Sequence, residues 1–587
     1  MNIIQTSLAA FLMAAYSSAI LAQDEDTVRI NRNTTLKLIE ALVKKGVLDR
    51  ESADAMMKEA REQAVAEARA EQAQRPASPA PAATATPAPL VSEQPSTAND
   101  TIHVSHVPQF MQRQIREQVR AELKAEVLRD VKQAAREEQW NFTSALPDWV
   151  HRLQPYFDAR LRLTDEFMGK DNATAYDWMA VNQAGGLSQA LANHTAYANT
   201  GLDRFRLNGR FRLGLDAAIT EGLKAGFRLT TTNIYSPVST NQTLGDYNRT
   251  WFVALDRAFL QYDLVDRKGQ DWLTLWGGRI PNPLMSTELL YSPMLSFEGV
   301  VATARWRFGR GDSSRYSVPP ATGRYGINLG PQTPNTVFAT VGALPLQEVN
   351  FSSADKWLLA AQTGVDWLVR PDSRFKLAGA YYDFQNVSAR RNSLDSRRWD
   401  WTAPLFMQRG NTLVPIDDAS NQTACNTGAL GPRNVCRVGL ASAFQVLDVT
   451  AAFDYAGFGA THVMLTADYA RNIGFDADRI ARVFGESVSP RTEAYLVRLD
   501  VGRPEMNHFA DWNLFFTYRY IERDALLDAF NDPIFHQGGT NAQGWTSGLQ
   551  WGLARNTWLD LRWLSSDAIS GPALRVDTLN LDFNTRF

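Results

Sequence analysis

The chain reads as an all-β transmembrane antiparallel β-barrel of about sixteen strands, preceded by a small α-helical periplasmic region. Three observations predict this class. Apolar and polar residues alternate with period two over more than four hundred residues. Short and long connections between the alternating segments take turns along the chain. The last stretch ends on an aromatic residue with nothing after it: Leu579, Leu581, Phe583 and Phe587 share one face, and Asn580, Asp582, Asn584 and Arg586 the other. A strand with one greasy and one wet face that must still pair needs a first strand to close against. The rival is an amphipathic strand of a soluble sandwich.

With 587 residues, a net charge of -3 and 44% hydrophobic content, the chain is too long for one ordinary soluble core and too polar for a bundle of membrane helices. Its near-neutral balance excludes nucleic acid as an expected partner. Its 16 Trp residues suit interface girdles. Cys425 and Cys436 are an even count in an exported chain and predict a disulfide.

In chain order, residues 1–22 read as a signal peptide cut near Ala22, although no Lys or Arg precedes the apolar run; a membrane anchor helix is the rival. Residues 23–74 predict a periplasmic helical hairpin. Leu36, Ile39, Leu42 and Val43 form one stripe, Gly46 a stop, and Met56, Met57 and Ala60 belong to a second helix. Residues 75–100, with Pro76, Pro79, Pro81, Pro87, Pro89 and Pro95 among Ala, Ser and Thr, are a semi-rigid linker. Residues 101–142 predict a short strand and a long helix. His103 and His106 are too few for a metal site. Ile115, Val119, Leu123, Val127 and Val131 recur every four residues, a spacing that drifts around the helix, so a coiled coil and a lone helix beneath the barrel both stay open.

The barrel itself is expected over 147–587. In 203–216, Phe205, Leu207, Phe211 and Leu213 alternate with Arg204, Arg206, Arg210 and Arg212. Short links at 216–222, 371–373, 457–459 and 555–556 alternate with long ones at 165–202, 235–250, 387–443 and 472–491. The 309–335 stretch breaks this order: it is long where a short turn is due.

Several pieces in this order resemble one family, the putative porins of Gram-negative outer membranes. They are Leu38-Ile39-Glu40-Ala41-Leu42-Val43 with Gly46-Val47-Leu48, Ala145-Leu146-Pro147-Asp148-Trp149, Gly278-Arg279-Ile280-Pro281-Asn282-Pro283, Phe297-Glu298-Gly299-Val300 and Pro345-Leu346-Gln347-Glu348. The resemblance spans the chain after its leader. It implies an outer-membrane barrel with passive transport and no particular cargo. It implies outer-membrane lipid, small hydrophilic solutes and the barrel-assembly machinery as partners, and leaves a homotrimer open. No cofactor is implied.

A pore selects by width and by lining charge. Alternation turns Arg160, Arg162, Arg204, Arg206, Arg210, Arg212, Lys224 and Arg228 inward as a basic wall. Half a ring away, Asp448, Asp454, Asp468 and Asp500 form an acidic one. The expectation is a transverse field with anion preference; the plainer reading is a polar lumen whose arginines pair with loop carboxylates. The 280–298 connection, stiffened by Pro281 and Pro283 and carrying Glu288 and Glu298, is the constriction candidate; a plain exposed loop is its rival.

Two other functions compete. A barrel enzyme would need a nucleophile and a base within reach, but the seven histidines are scattered and no Gly-x-Ser-x-Gly, His-Glu-x-x-His or phosphate loop occurs. His462 and Asp468 are the nearest pairing, too far apart to touch. A structural tether between outer membrane and cell wall would use residues 24–139.

Overall fold

The computed structural model describes residues 148–587 apart from 233–235, 267–270, 309–324, 351, 394–395 and 418–436. The expected signal peptide, helical hairpin, linker, long helix with its coiled-coil alternative, and the Cys425–Cys436 disulfide all lie outside the described residues.

Sixteen long antiparallel strands form the main sheet. They are β1 (Leu153–Met168), β2 (Arg204–Thr220), β3 (Leu223–Thr231), β4 (Val253–Val265), β5 (Asp271–Pro281), β6 (Ser296–Arg307), β7 (Thr336–Gln347) and β8 (Lys356–Arg370). Next come β9 (Ser373–Gln385), β10 (Phe444–Phe458), β11 (Thr461–Asn472), β12 (Glu493–Gly502), β13 (Trp512–Ile521), β14 (Ala542–Ala554), β15 (Thr557–Ala568) and β16 (Arg575–Arg586). Each pairs with its neighbours in sequence. The ring closes where β16 pairs with β1, from Asp158↔Arg586 to Met168↔Val576. Beyond the ladder, Phe587 and Phe157 exchange backbone hydrogen bonds and stack their rings at 5.6 Å. Closure leaves no strand edge with unpaired N–H and C=O groups, which a bilayer could not satisfy.

The burial pattern inverts that of a soluble protein. On β11, Leu465 is 49% exposed while Asp468 is 2% exposed; on β12, Val497 is 46% exposed and Arg498 1%. Apolar side chains face outward and polar ones inward, as the period-two reading requires. Aromatic side chains pair on the outer surface: Phe167 with Trp563, Phe516 with Trp545, and Tyr495 with Tyr520.

Inside, four large rings lie flat on glycines directly across the ladder. Tyr156 covers Gly214, Phe259 covers Gly226, Phe338 covers Gly364 and Phe515 covers Gly548. A Cβ at any of these glycines would meet its ring at 2.1–2.5 Å, so only glycine lets the ring lie against the wall.

The connections at one rim are short, at 221–222, 371–372, 459–460 and 555–556; at the other, 169–203, 232–252, 386–443 and 473–492 are long. The 309–335 stretch does interrupt the short rim. It is an insertion in a hairpin that is otherwise closed: Arg307 pairs with Thr336, and Phe308 donates its N–H to the Asn335 carbonyl at 2.8 Å.

Leu581 faces outward in β16, beside Leu163 of β1 and Leu561 of β15. Leu581→Arg puts a charge on the lipid face of the closing strand. Urea titration of the folded barrel in lipid should show a loss of about 2–4 kcal/mol; no loss would place this face away from lipid.

Candidate functional site: the barrel lumen

The segment between β5 and β6, residues 282–295, folds into the ring. Asn282 starts the turn by accepting the Leu284 N–H at 3.0 Å and donating to Ser286 Oγ at 3.0 Å. Gln362 on β8 then clasps Met285, its amide accepting the Met285 N–H and donating to the Met285 carbonyl, both at 2.8 Å. Thr287 Oγ1 donates to Asp468 on β11 at 2.5 Å, and Ser292 N–H to the Phe530 carbonyl at 2.7 Å. Leu284, Leu289, Leu290, Tyr291 and Leu295 are buried with Leu344, Leu358, Tyr382, Phe384, Val446 and Leu526 in one apolar cluster. A polar lumen thus carries an apolar core on one side, and that core fixes the segment by removing greasy surface from water.

Glu288 sits in this segment, fully buried, and accepts from Arg519 on β13 at 2.7 Å. Arg519 also reaches Asp532 in the 522–541 connection at 3.2 Å. Burial pushes the Glu288 carboxyl up against the opposing pull of Arg519. Glu298, in contrast, lies within β6, is more than half exposed and pairs with Arg279 on β5. It takes no part in the inserted segment.

The eight basic residues do not form a bare wall. Arg162 grips Asp582 of the closing strand with two bonds of 2.6 Å, Arg562 reaches the same carboxylate at 2.9 Å, and Arg160 lies 3.9 Å from it. Arg210 and Arg212 share Asp158, at 2.8 and 2.7 Å. Arg206 pairs with Glu166, and Arg228 grips Asp256 at 2.6 Å. Lys224 meets Asp263 at 3.0 Å but is half exposed, and Arg204 is exposed at the end of β2. Apart from the exposed Arg204, each of these eight has a carboxylate on its own or a nearby strand, because an unpaired buried charge would be costly.

The acidic group divides in the same way. Asp500 is held by Arg498 at 2.8 Å, and Asp454 lies 3.0 Å from His462. Asp448 accepts from Thr450 at 3.3 Å and Asp468 from Thr287. Sequence reasoning passed over Asp158, Glu166, Asp256 and Asp582 as partners, and Arg257, Arg498, Arg519 and Arg562 as lumen cations. Alternation puts all of them but Asp256 on inward files; Asp256 and Arg257 are adjacent, and a bulge in the ladder between Arg228 and Leu229 turns both inward. What alternation lacks is register, which decides who meets whom.

Two sizeable cavities lie among the described residues, the smaller of them lined in part by the segment. One of about 900 Å³ lies among the long connections and includes Asp177, Arg409, Asp528 and His536. The other, about 430 Å³, lies toward the short-turn rim. In the larger, burial pushes the Asp528 carboxyl up to about 8, against the hydrogen bond from the Gln408 backbone N–H. Burial pulls His536 down to about 3, with Arg409 adding repulsion.

A ring of sixteen strands with an oil-facing outside, a polar inside and a segment folded into the lumen is the architecture of an outer-membrane pore. The chain belongs to the family described as "Putative porin", whose profile matches residues 32–587. It is thus an outer-membrane channel protein of the porin type. Among solved structures, it is similar to the high-pH form of OprB from Pseudomonas putida: 10% identity, 74% of this chain and 94% of that one covered, TM-score 0.38. It is similar also to the anion-selective porin from Comamonas acidovorans (9%, 74% and 99%, 0.36) and to the outer membrane channel DcaP of Acinetobacter baumannii (9%, 74% and 97%, 0.35). At that distance these likenesses add nothing to the family match. No curated protein sequence matches the chain.

A raised carboxyl and a lowered imidazole in one connection act in opposite directions. Asp528 keeps its proton when docked up to about pH 8, whereas an undocked Asp releases it near 3.8, so its contribution is full below 3.8 and is lost as pH rises through 8. His536 contributes fully above 6.5 and loses this as pH falls to about 3. Asp528→Asn should therefore remove the alkaline loss of hydrogen-exchange protection in 522–541 while leaving the acid loss. Retention of the alkaline loss would assign it elsewhere.

Proposed function

We propose that the chain is a passive pore for small hydrophilic solutes and that its smaller chamber favours anions. The short-turn rim is read as the periplasmic one. The observation that carries the anion reading is the lining of the 430 Å³ cavity. Six guanidinium groups, from Arg160, Arg210, Arg212, Arg228, Arg257 and Arg586, stand against three carboxylates, from Asp158, Asp560 and Asp582. Arginine stays charged in such surroundings, and a low-dielectric wall focuses the excess positive potential on the space between. Arg257 carries much of that excess, because it makes no ion pair among the described residues. Polar solutes gain hydrogen-bond partners along this wall, and apolar ones lose hydration without replacement.

Purified protein in liposomes should allow swelling in small sugars, and a planar bilayer under a salt gradient should show a reversal potential on the anion side. Arg257→Gln removes a charge without breaking an ion pair of the described residues and should move that potential toward the cation side. An unchanged reversal potential would leave a pore without charge preference.

A further inference from the structure

We propose that residues 325–332 form a second constriction, inserted from the short-turn rim, which meets the 282–295 segment inside the lumen and sets the size limit for solutes. The proposal rests on the passive-pore reading.

The two segments are joined backbone to backbone. Ser286 pairs with Asn328 and Thr287 with Ile327 in a small antiparallel ladder. Glu288 donates its N–H to the Gly326 carbonyl at 2.6 Å. The Asn328 amide donates to the carbonyls of Asn282 at 3.0 Å and Leu284 at 2.8 Å. Gly326 has φ +81°, and a Cβ there would fall 1.9 Å from Glu288 Oε2, so the join requires glycine.

The barrel wall holds the segment at separate points. Arg374 donates to the Gln332 carbonyl and Lys376 to the Leu329 carbonyl, both at 3.1 Å, from β9. Arg498 on β12 donates to the Tyr325 carbonyl at 2.7 Å. The Arg562 guanidinium on β15 lies 4.2 Å from the centre of the Tyr325 ring. Strands β9 and β15 stand six places apart in a ring of sixteen. A segment of eight residues touching both crosses the interior rather than following the wall.

Its far end seals a boundary. Tyr325 donates its hydroxyl hydrogen to Asp532 at 3.1 Å. Tyr325 lines the smaller cavity, and Asp532 stands in the chain between Asp528 and His536, which line the larger. The two cavities have no lining residue in common. Arg498, Arg519 and Arg562, which surround this boundary, are among the largest fully buried side chains in the described residues. On this proposal, solutes passing between chambers go by Tyr325 and its partners.

The barrel does not need this insertion for its ladder. β6 and β7 already close at Arg307↔Thr336 and Phe308–Asn335, with Asn335 at φ 61°. Residues 309–334 can thus be replaced by a two-residue Asn-Gly turn without breaking a strand pair of the main sheet.

The test compares three proteins in planar bilayers and in liposome swelling with sugars of graded size: the intact chain, the turn replacement, and the double variant Tyr325→Ala/Asn328→Ala. The double variant leaves 309–324 in place. Heat-modifiable gel mobility confirms folding of each, and the double variant decides if the replacement fails to fold. Both variants should conduct at least about twofold more than the intact chain and admit larger sugars. An intact chain that is closed, with variants that open, supports the proposal equally. Variants that keep the conductance and size limit of a conducting intact chain overturn the second constriction and leave the pore reading standing. If all three stay closed, both readings fall.

Discussion

The structure depends on one constraint: in a bilayer, every backbone N–H and C=O needs a partner within the protein. A sheet meets it only by closing, and this chain closes through β1 and β16. The last residue still takes part, since Phe587 bonds and stacks with Phe157 beyond the ladder. With the exterior committed to lipid, the inward files must carry the polar side chains. The lumen's chemistry is thus the other half of the same alternation.

Closure also decides the electrostatics. Asp582 on the last strand neutralises Arg162 on the first, and Arg562 comes to it from the other side. That cluster exists only because the first and last strands of the barrel meet. Elsewhere the lumen repeats the rule that buried charges come in pairs, with Asp158 between Arg210 and Arg212 and Asp256 on Arg228. Basic and acidic side chains thus interleave along the inner wall, the carboxylate partners of these arginines coming from the strands themselves.

Much of the fold was legible in the chain. Period two identified strands such as 203–216 and the closing stretch, and the alternation of loop lengths ordered the rims. The inward positions of Arg160, Arg162, Arg206 and Arg228 followed from the same period. Pairing did not, because Asp158, Glu166 and Asp582 sit on the same files and only register shows which arginine each meets. Glu288 reached the lumen while Glu298 remained on β6, a difference set by where the strand resumes after the insertion. Residues 325–332 carry no period, since a segment crossing an interior has no repeating face. Their only trace was a break in the order of short and long connections.

Closure of the ring is tested most directly by joining its first and last strands. Thr164 and Asn580 are register partners whose side chains bond at 2.7 Å inside the barrel. In a chain with Cys425 and Cys436 replaced by Ser, Thr164→Cys/Asn580→Cys should form a disulfide in native outer membranes, retarding unfolding on a gel without loss of membrane insertion. Failure to cross-link under oxidation, in protein shown to be folded and inserted, would mean that the two ends do not meet.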